Sequence, residues 1–405
     1  MRILHVNKFF DLRGGAEVYL HELMARQRDA GHDVHALSTR SPNNLPSSDA
    51  FRFVTRYDLS ISDGSSTDAK KAANFLWNRE AKRAMQQTLD ELKPDVVHLH
   101  NIYHHLSTSI LGPIRRSRVR SVQTLHDLKL ACPNYRMYTE GAPCERCKGG
   151  RYYEAVKHRC LFPNMLPNML AALEMGMTKA RQSYERTVST FICPSQFMAD
   201  KMVEWGEPPS KFTVVRMPVV RRERAPRGGG YLLAVGRLSP EKGYEELIHA
   251  TARVPGMRIK IAGTGPLEDR LRSLIRANER TSDIELVGFK RGQELEDLYR
   301  YAEAFIACPI GHENAPLAVL DALGVGLPIL ATDFSGLREM VADGQSGVLV
   351  ERGNTDAWVE ALKRFQALGD QEREEMARQS AVLAETNYPD WKGHVNALQD
   401  IYEAV

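Results

Sequence analysis

Apolar residues in the first half of the chain gather in short runs separated by stretches of helical spacing. Arg2–Asn7 reads as an apolar strand ending in a glycine-bearing loop, Lys8–Gly15. The pattern then predicts a helix over 17–30, with Val18, Leu20, Leu23 and Met24 on one stripe and Gly31 as its stop. Further strands are predicted at 34–37, 95–100, 121–125 and 190–193, and residues 41–66 are polar enough to predict loops with an edge strand. A strand–helix–strand rhythm of this kind implies a parallel sheet with helices on both faces. It breaks at residues 217–230, where charge, proline and glycine predict a linker. It resumes with strands predicted at 231–235, 258–262, 284–287, 304–307, 328–331 and 347–350, and a last helix after Pro389. No close repeat of 20–50 residues is present, which excludes a solenoid.

Composition narrows the picture. The chain has 405 residues, 43% hydrophobic and 26% charged, which excludes a disordered, collagenous or coiled-coil protein. The longest apolar stretches free of Asp, Glu, Lys and Arg, such as Leu161–Leu173, contain prolines and fall short of the ~20 residues of a membrane span. The start, MRILHVNKFF, lacks a signal-peptide pattern, so the expected compartment is the cytosol. The net charge of +3 hides a basic first half and an acidic second half, and most of the histidines lie in the first. Opposite signs suggest two domains with different partners. Nucleic acid is not expected among them, because no basic run is interleaved with aromatics.

Two doubly wound domains bind ligands beyond the carboxyl ends of their strands. Three glycine-bearing loops fall at such ends in the second half. Gly236-Arg237-Leu238-Ser239-Pro240-Glu241-Lys242-Gly243 offers an Arg fork and a Lys point charge to phosphate oxygens. Gly263-Thr264-Gly265-Pro266 allows close backbone approach, but Glu268 stands where a dinucleotide fingerprint needs its third glycine. In Glu313-Asn314-Ala315-Pro316-Leu317-Ala318-Val319-Leu320-Asp321, Pro316 suits the first turn of a helix whose free amides near Leu317 and Ala318 would hold an anion. Singly, each loop is more often ordinary surface. Their co-location in one domain is the specific feature.

These loops resemble the donor domain of GT-B-fold glycosyltransferases, specifically the large retaining family four. Val287-Gly288, Gly324-x-Gly326-Leu327-Pro328, Gly336-x-x-Glu339 and Asp343-Gly344-x-x-Gly347 extend the match, and Gly14-Gly15-Ala16-Glu17 and His126-Asp127 carry it into the first half. The resemblance implies an α/β GT-B fold: two Rossmann-like, doubly wound domains facing each other across a cleft. It gives an acceptor-binding domain at 1–217 with a cysteine-rich insert at 132–160, and a nucleotide-sugar donor domain at 218–385. A last helix, 386–405, is expected to pack back toward the first domain.

The resemblance also assigns roles. Arg237 and Lys242 would bind the donor diphosphate, Glu313 the sugar hydroxyls and Asp321 the ribose. Gly236, Gly263, Gly265, Leu317, Ala318 and the backbone at Lys290 would line the donor site. Gly14 and Gly15 would let the first domain approach the phosphates, and His126 would lie beside the sugar. Asp321 is one methylene shorter than the family's usual Glu, and the loop reads Asn-Ala-Pro rather than the more frequent Phe-Gly. The implied activity is retaining transfer of a sugar from a nucleotide-diphosphate sugar to a hydroxyl of a glycan, glycolipid or small molecule, in polysaccharide or glycoconjugate synthesis. No Asp-x-Asp pair is present, so no catalytic metal is expected. An epimerase or hydrolase on the same fold and a non-catalytic sugar-nucleotide regulator are the competing readings.

Cys132-x11-Cys144-x2-Cys147-x12-Cys160 resembles a four-thiolate structural zinc site, with two disulfides or four free thiols as alternatives. Cys193 and Cys308 are expected in the core. His98, His100, His104 and His105 are read as satisfied histidines or acceptor contacts rather than metal ligands. Met165, Met169, Met175 and Met177 are read as core or acceptor wall, while the basic half leaves room for peripheral contact with an anionic membrane.

Overall fold

The computed structural model describes residues 1–57, 66–225, 228–280 and 282–405. The chain divides into two compact units: residues 1–137, 145–215 and 391–405 form the first, and residues 138–144 and 216–390 the second.

In the first unit six parallel strands lie in the spatial order Asp33–Leu37, Arg2–Val6, Val96–Leu99, Arg120–Thr124, Thr190–Cys193, Phe212–Val214. The central strands are buried on both faces, as in any parallel sheet covered by helices, although they carry His98, Ser121, Gln123 and Thr124. The order reverses beside Arg2–Val6, so the loops after Val6 and Leu99 flank the crevice where such sheets bind ligands. The first helix runs Gly15–Asp29 and buries Tyr19, Leu20, Leu23 and Met24. Val18, expected on that stripe, is exposed. Helix Arg79–Leu92 starts where the Asn78 side chain accepts from the Ala81 amide at 2.9 Å. Helix Trp391–Ala404 completes the unit against helix Gly15–Asp29, where Tyr19 Oη meets His394 Nε2 at 2.8 Å.

The second unit repeats the plan. Its parallel strands run Ile284–Gly288, Ile259–Ala262, Leu232–Val235, Ala304–Ala307, Ile329–Thr332, Gly347–Val350. Here the order reverses between Leu232–Val235 and Ala304–Ala307, which places the loops from Gly236 and from Cys308 on either side of the switch point. Leu247, Ile248, Trp358, Leu362 and Phe365 pack beneath, on helices Tyr244–Ala252 and Thr355–Ala367.

Three sequence expectations change. The edge strand within 41–66 is reduced to a single bridge between Thr39 and Val54 and a 3-10 turn at Ala50–Arg52; residues 58–65 lie outside the described ones. Strand Phe212–Val214 went unpredicted because charged residues at Lys211 and Arg216 hide it. The linker is no free tether either. Met217, Val219 and Ala225 are buried, and the amides of Val219, Arg222 and Ala225 donate to Pro389, Gly324 and Arg300 carbonyls at 2.9–3.0 Å, all within the second unit.

Candidate active site

The donor-side residues of the second unit are held by backbone packed on backbone. After Val235 the chain turns so that the Leu238 amide donates to the Thr264 carbonyl and the Leu267 amide to Leu238, both at 3.0 Å. Gly263 (φ +147°) sits where a Cβ would lie 1.9 Å from the Gly236 carbonyl oxygen, so no side chain fits. Gly243 (φ +69°) follows Lys242, and its own Cβ would lie 2.0 Å from the Cys308 carbonyl oxygen. The Ile310 and Gly311 amides both donate to Glu241, and Cys308 Sγ to Lys242, at 2.9–3.2 Å. The three loops therefore form one stack.

That stack sets Lys242 Nζ 2.6 Å from Glu313 Oε1. Burial presses against the Lys242 charge, but the Glu313 carboxylate outweighs it and raises the ammonium above its usual range. The Glu313 backbone is itself pinned, its amide to Ser335 Oγ and its carbonyl to the Gly336 amide, each at 3.0 Å. Three residues on, Pro316 caps helix Leu317–Val325, preceding rather than occupying its first turn. The first helical bonds run from Val319 and Leu320 to Pro316, which leaves the Leu317 and Ala318 amides ahead of the ladder. Arg237 is exposed and pairs with no described acid. Asp321 accepts from Arg222 at 2.9 Å; burial raises its carboxyl, Arg222 opposes that, and Glu296 adds to it. Lys290 pairs with Glu294 at 2.9 Å on the surface.

In the first unit, Gly14 and Gly15 are exposed at the start of helix Gly15–Asp29. Gly14 is extended (φ −163°), so the glycine there supplies access rather than a special backbone conformation. His126 is half-buried and bonds through Nε2 to His100 Nδ1 at 2.9 Å. Its neighbour Asp127 accepts from Tyr103 Oη and, at 3.0 Å, from the Lys129 amide. Behind it Lys129 Nζ reaches Glu174 at 2.7 Å. Lys8 Nζ stands 3.4 Å from the centre of the Tyr103 ring, and burial lowers its pKa to about 7 against the pull of Asp127 and Glu17.

Residues 13–221 match the family model described as Glycosyltransferase Family 4, and residues 219–382 match Glycosyl transferases group 1. The chain belongs to the glycosyltransferase family these two models describe. It is 32% identical over 186 residues to the putative colanic acid biosynthesis glycosyltransferase WcaL of Salmonella typhimurium, a match covering 42% of this chain and 46% of that protein. The chain thus spans about half the length of the curated relatives it first matches. It is 26% identical to the glycogen synthase of Mycobacterium tuberculosis, over 100% of this chain and 95% of the other. Among solved structures, sucrose-phosphate synthase from Thermosynechococcus elongatus superposes with a TM-score of 0.73 at 14% identity, covering 100% and 98% of the two chains. HepE of Anabaena, solved with UDP and glucose, gives 0.71 at 15% identity over 100% of both. These neighbours are GT-B proteins, and the chain has that α/β class with two Rossmann-like units.

Within the second unit the fold brings Gly236, Lys242, Gly263, Gly265 and Glu313 together, with Leu317 and Ala318 beyond. Asp321 and Lys290 are each tied to a different partner. All six cysteines are free thiols, so neither disulfide forms. Cys132 and Cys160 are linked through Asn134, which accepts from Cys132 Sγ at 3.0 Å and donates to the Cys160 carbonyl at 3.3 Å. Met175 is core, but Met165, Leu166, Met169 and Leu173 are each half or more exposed, so the expected apolar wall is only partly buried. Sequence reading missed Lys8, Tyr103, Lys129 and Glu174. Lys8 was discoverable, because it is the second residue past the first strand, at a carboxyl end. Gly263→Ala should destabilise the second unit by about 1–3 kcal/mol, read as a lower urea midpoint; an unchanged midpoint would show that the loop stack is not under steric constraint.

Proposed function

We propose that the protein transfers a sugar, with retention, from a nucleotide-diphosphate sugar to a hydroxyl acceptor, and that donor binding needs no metal. The observation that carries this is the Lys242–Glu313 pair at 2.6 Å, beside Arg237 and the start of helix Leu317–Val325. A nucleotide sugar presents an anionic phosphate and neutral hydroxyls on neighbouring atoms. An adjacent cation and carboxylate match those two groups side by side.

The departing diphosphate gains about one negative charge as the glycosidic bond breaks. Arg237, Lys242 and the Leu317 and Ala318 amides would stabilise that charge more than the ground state. Asp321 would take the ribose hydroxyls while Arg222 holds its second oxygen. His126 would stand beside the transferred sugar, as the resemblance implies. Retention is likewise inferred from the family, whose leaving phosphate would help deprotonate the acceptor. Lys242→Met should lower kcat/KM for donor by about thirtyfold, or 2 kcal/mol, with EDTA leaving the parent unaffected. Loss of activity in EDTA that Mg²⁺ or Mn²⁺ restores would overturn metal independence; donor breakdown without acceptor transfer would favour the hydrolase.

A lipid-linked acceptor is favoured by the exposed stripe Met165, Met169 and Leu173, spaced one helical turn apart with Leu166 beside it on a helix of the basic half. No helix among the described residues is long and apolar enough to cross a membrane, so contact would be peripheral. The protein should float with phosphatidylglycerol vesicles and not with phosphatidylcholine ones, and Met169→Asp/Leu173→Asp should abolish it. Equal recovery with both lipids would remove this reading.

From the cysteine spacing alone we also infer one structural Zn²⁺ on Cys132, Cys144, Cys147 and Cys160; the four thiols form no metal-type cluster among the described residues, so they would have to converge and lose their protons on binding it. Protein purified under reducing conditions without chelator should carry about one zinc per chain; a content near zero sinks the assignment.

A further inference from the structure

One face of the first unit's sheet is lined with imidazoles instead of aliphatic side chains. His5 and His98 are register partners on adjacent strands, and His100 follows two residues later on the same face. His126 lies two residues past Thr124, just beyond the end of the next strand. Helices Gly15–Asp29 and Trp391–Ala404 contribute Gln27 and Tyr402 to the same layer. His5, His98 and His100 are at most 1% exposed, as is Gln27.

The layer is bonded end to end. Gln27 Oε1 meets His5 Nε2 at 2.7 Å, His5 Nδ1 meets His100 Nε2 at 3.0 Å, and His100 Nδ1 meets His126 Nε2 at 2.9 Å. A side branch runs from Gln27 Nε2 to Tyr402 Oη at 3.1 Å, on to His98 Nδ1 at 2.7 Å, and from His98 Nε2 to Thr124 Oγ1 at 2.8 Å. His5, His98 and His100 form a cluster of metal-ligand type, with ligand atoms within 4.8 Å. All six of their ring nitrogens are already engaged in these bonds, however, which leaves no lone pair for an ion.

Burial lowers the pKa of His5 and of His126 to about 4, and those of His98 and His100 well below the usual value. Every ring is therefore neutral at neutral pH, with one donor and one acceptor nitrogen. In such a chain one fixed end sets every proton. Gln27 Oε1 can only accept, so His5 carries its proton on Nε2 and accepts at Nδ1. His100 must then donate from Nε2 and accept at Nδ1. His126 must donate from Nε2. Its Nδ1 is left unprotonated and without a partner among the described residues. The side branch is compatible with this: Gln27 Nε2 donates to Tyr402, whose hydroxyl can donate to His98 Nδ1, with His98 Nε2 then donating to Thr124. Reversing the Gln27 amide would reverse every proton in both branches, so this one buried side chain decides the state of the whole layer.

We propose that Gln27, acting through His5 and His100, is a positioning residue that locks His126 in the tautomer with a protonated Nε2 and a bare Nδ1. That Nδ1 is an acceptor for a hydroxyl. Its use on a donor sugar rests on the glycosyltransferase reading above; the tautomer itself does not.

The test is tautomer-resolved ¹H–¹⁵N NMR on ¹⁵N-histidine protein, with His126→Gln assigning the ring. The parent should show His126 protonated only at Nε2. Gln27→Glu, whose carboxylate can only accept, should keep that form. Gln27→Met, similar in shape but apolar, should give both forms. His100→Asn, which cuts the chain next to His126, should do the same should Gln27→Met fail to fold. In sugar transfer, Gln27→Met should lower kcat at least about twofold, following the lost fraction of competent rings, with donor KM little changed and Gln27→Glu restoring it. A role in packing alone predicts the opposite ranking, with Met tolerated and a buried Glu not. An Nδ1-protonated His126 in the parent, or an unaltered tautomer in Gln27→Met and His100→Asn, overturns the proposal. The expected tautomers without sugar transfer in any variant would support it and remove only the glycosyltransferase reading.

Discussion

The carbonyl oxygen of Gly236 leaves no space for a side chain at residue 263, and much of the second unit's chemistry follows from that contact. Two loops leaving adjacent parallel strands are drawn together until backbone touches backbone. The amides of Leu238 and Leu267 are satisfied by that approach, and Lys242 is then delivered to Glu313. Side chains of ordinary size at 263 and 243 would push the loops apart by more than a hydrogen bond tolerates. The ion pair is the product of a backbone arrangement, and its precision comes from rigid main chain rather than from long, mobile side chains.

The first unit solves a different problem. Its sheet and two covering helices enclose polar rings and an amide in the layer where aliphatic packing would be expected. Buried polar groups of this kind are tolerated only when each finds a partner. The layer meets that condition by joining residues from three strands and two helices into one hydrogen-bonded set, with Tyr402 serving both Gln27 and His98. The mixed charges around Lys8, Tyr103, Asp127, Lys129 and Glu174 lie at the same carboxyl end, so that end of the unit is polar well below its surface.

Much of this was legible in the sequence. Short apolar runs such as Ala304–Ala307 and Gly347–Val350 fall where the second unit's strands are, because a strand buried on both faces is apolar unless each polar side chain finds a partner, as those of the first unit do. The glycine loops were legible because only glycine allows their approach. The partners of long side chains were not. Nothing local to Asp321 announces Arg222, 99 residues earlier, and nothing in the segment 217–225 distinguishes a tether from a strand of chain pinned onto its domain. His98 and His100 were visible as an alternating pair on a strand. Their bonds to Tyr402 and His126 depend on which helices cover that face, which is a property of the whole unit.

The composition of the first unit also has a kinetic side. The residues that finish its histidine layer, on helix Trp391–Ala404, are synthesised only after the entire second unit. At about 5–20 residues per second a ribosome needs on the order of 10–40 seconds to pass from Val215 to that helix. Throughout that interval His98 lacks Tyr402, and one face of the nascent sheet lacks its cover. The second unit has every strand of its sheet by the time residue 350 emerges and the last residue of its core cluster with Met376, before helix Trp391–Ala404 is made. The half of the protein that is made first is therefore the half that folds to completion last.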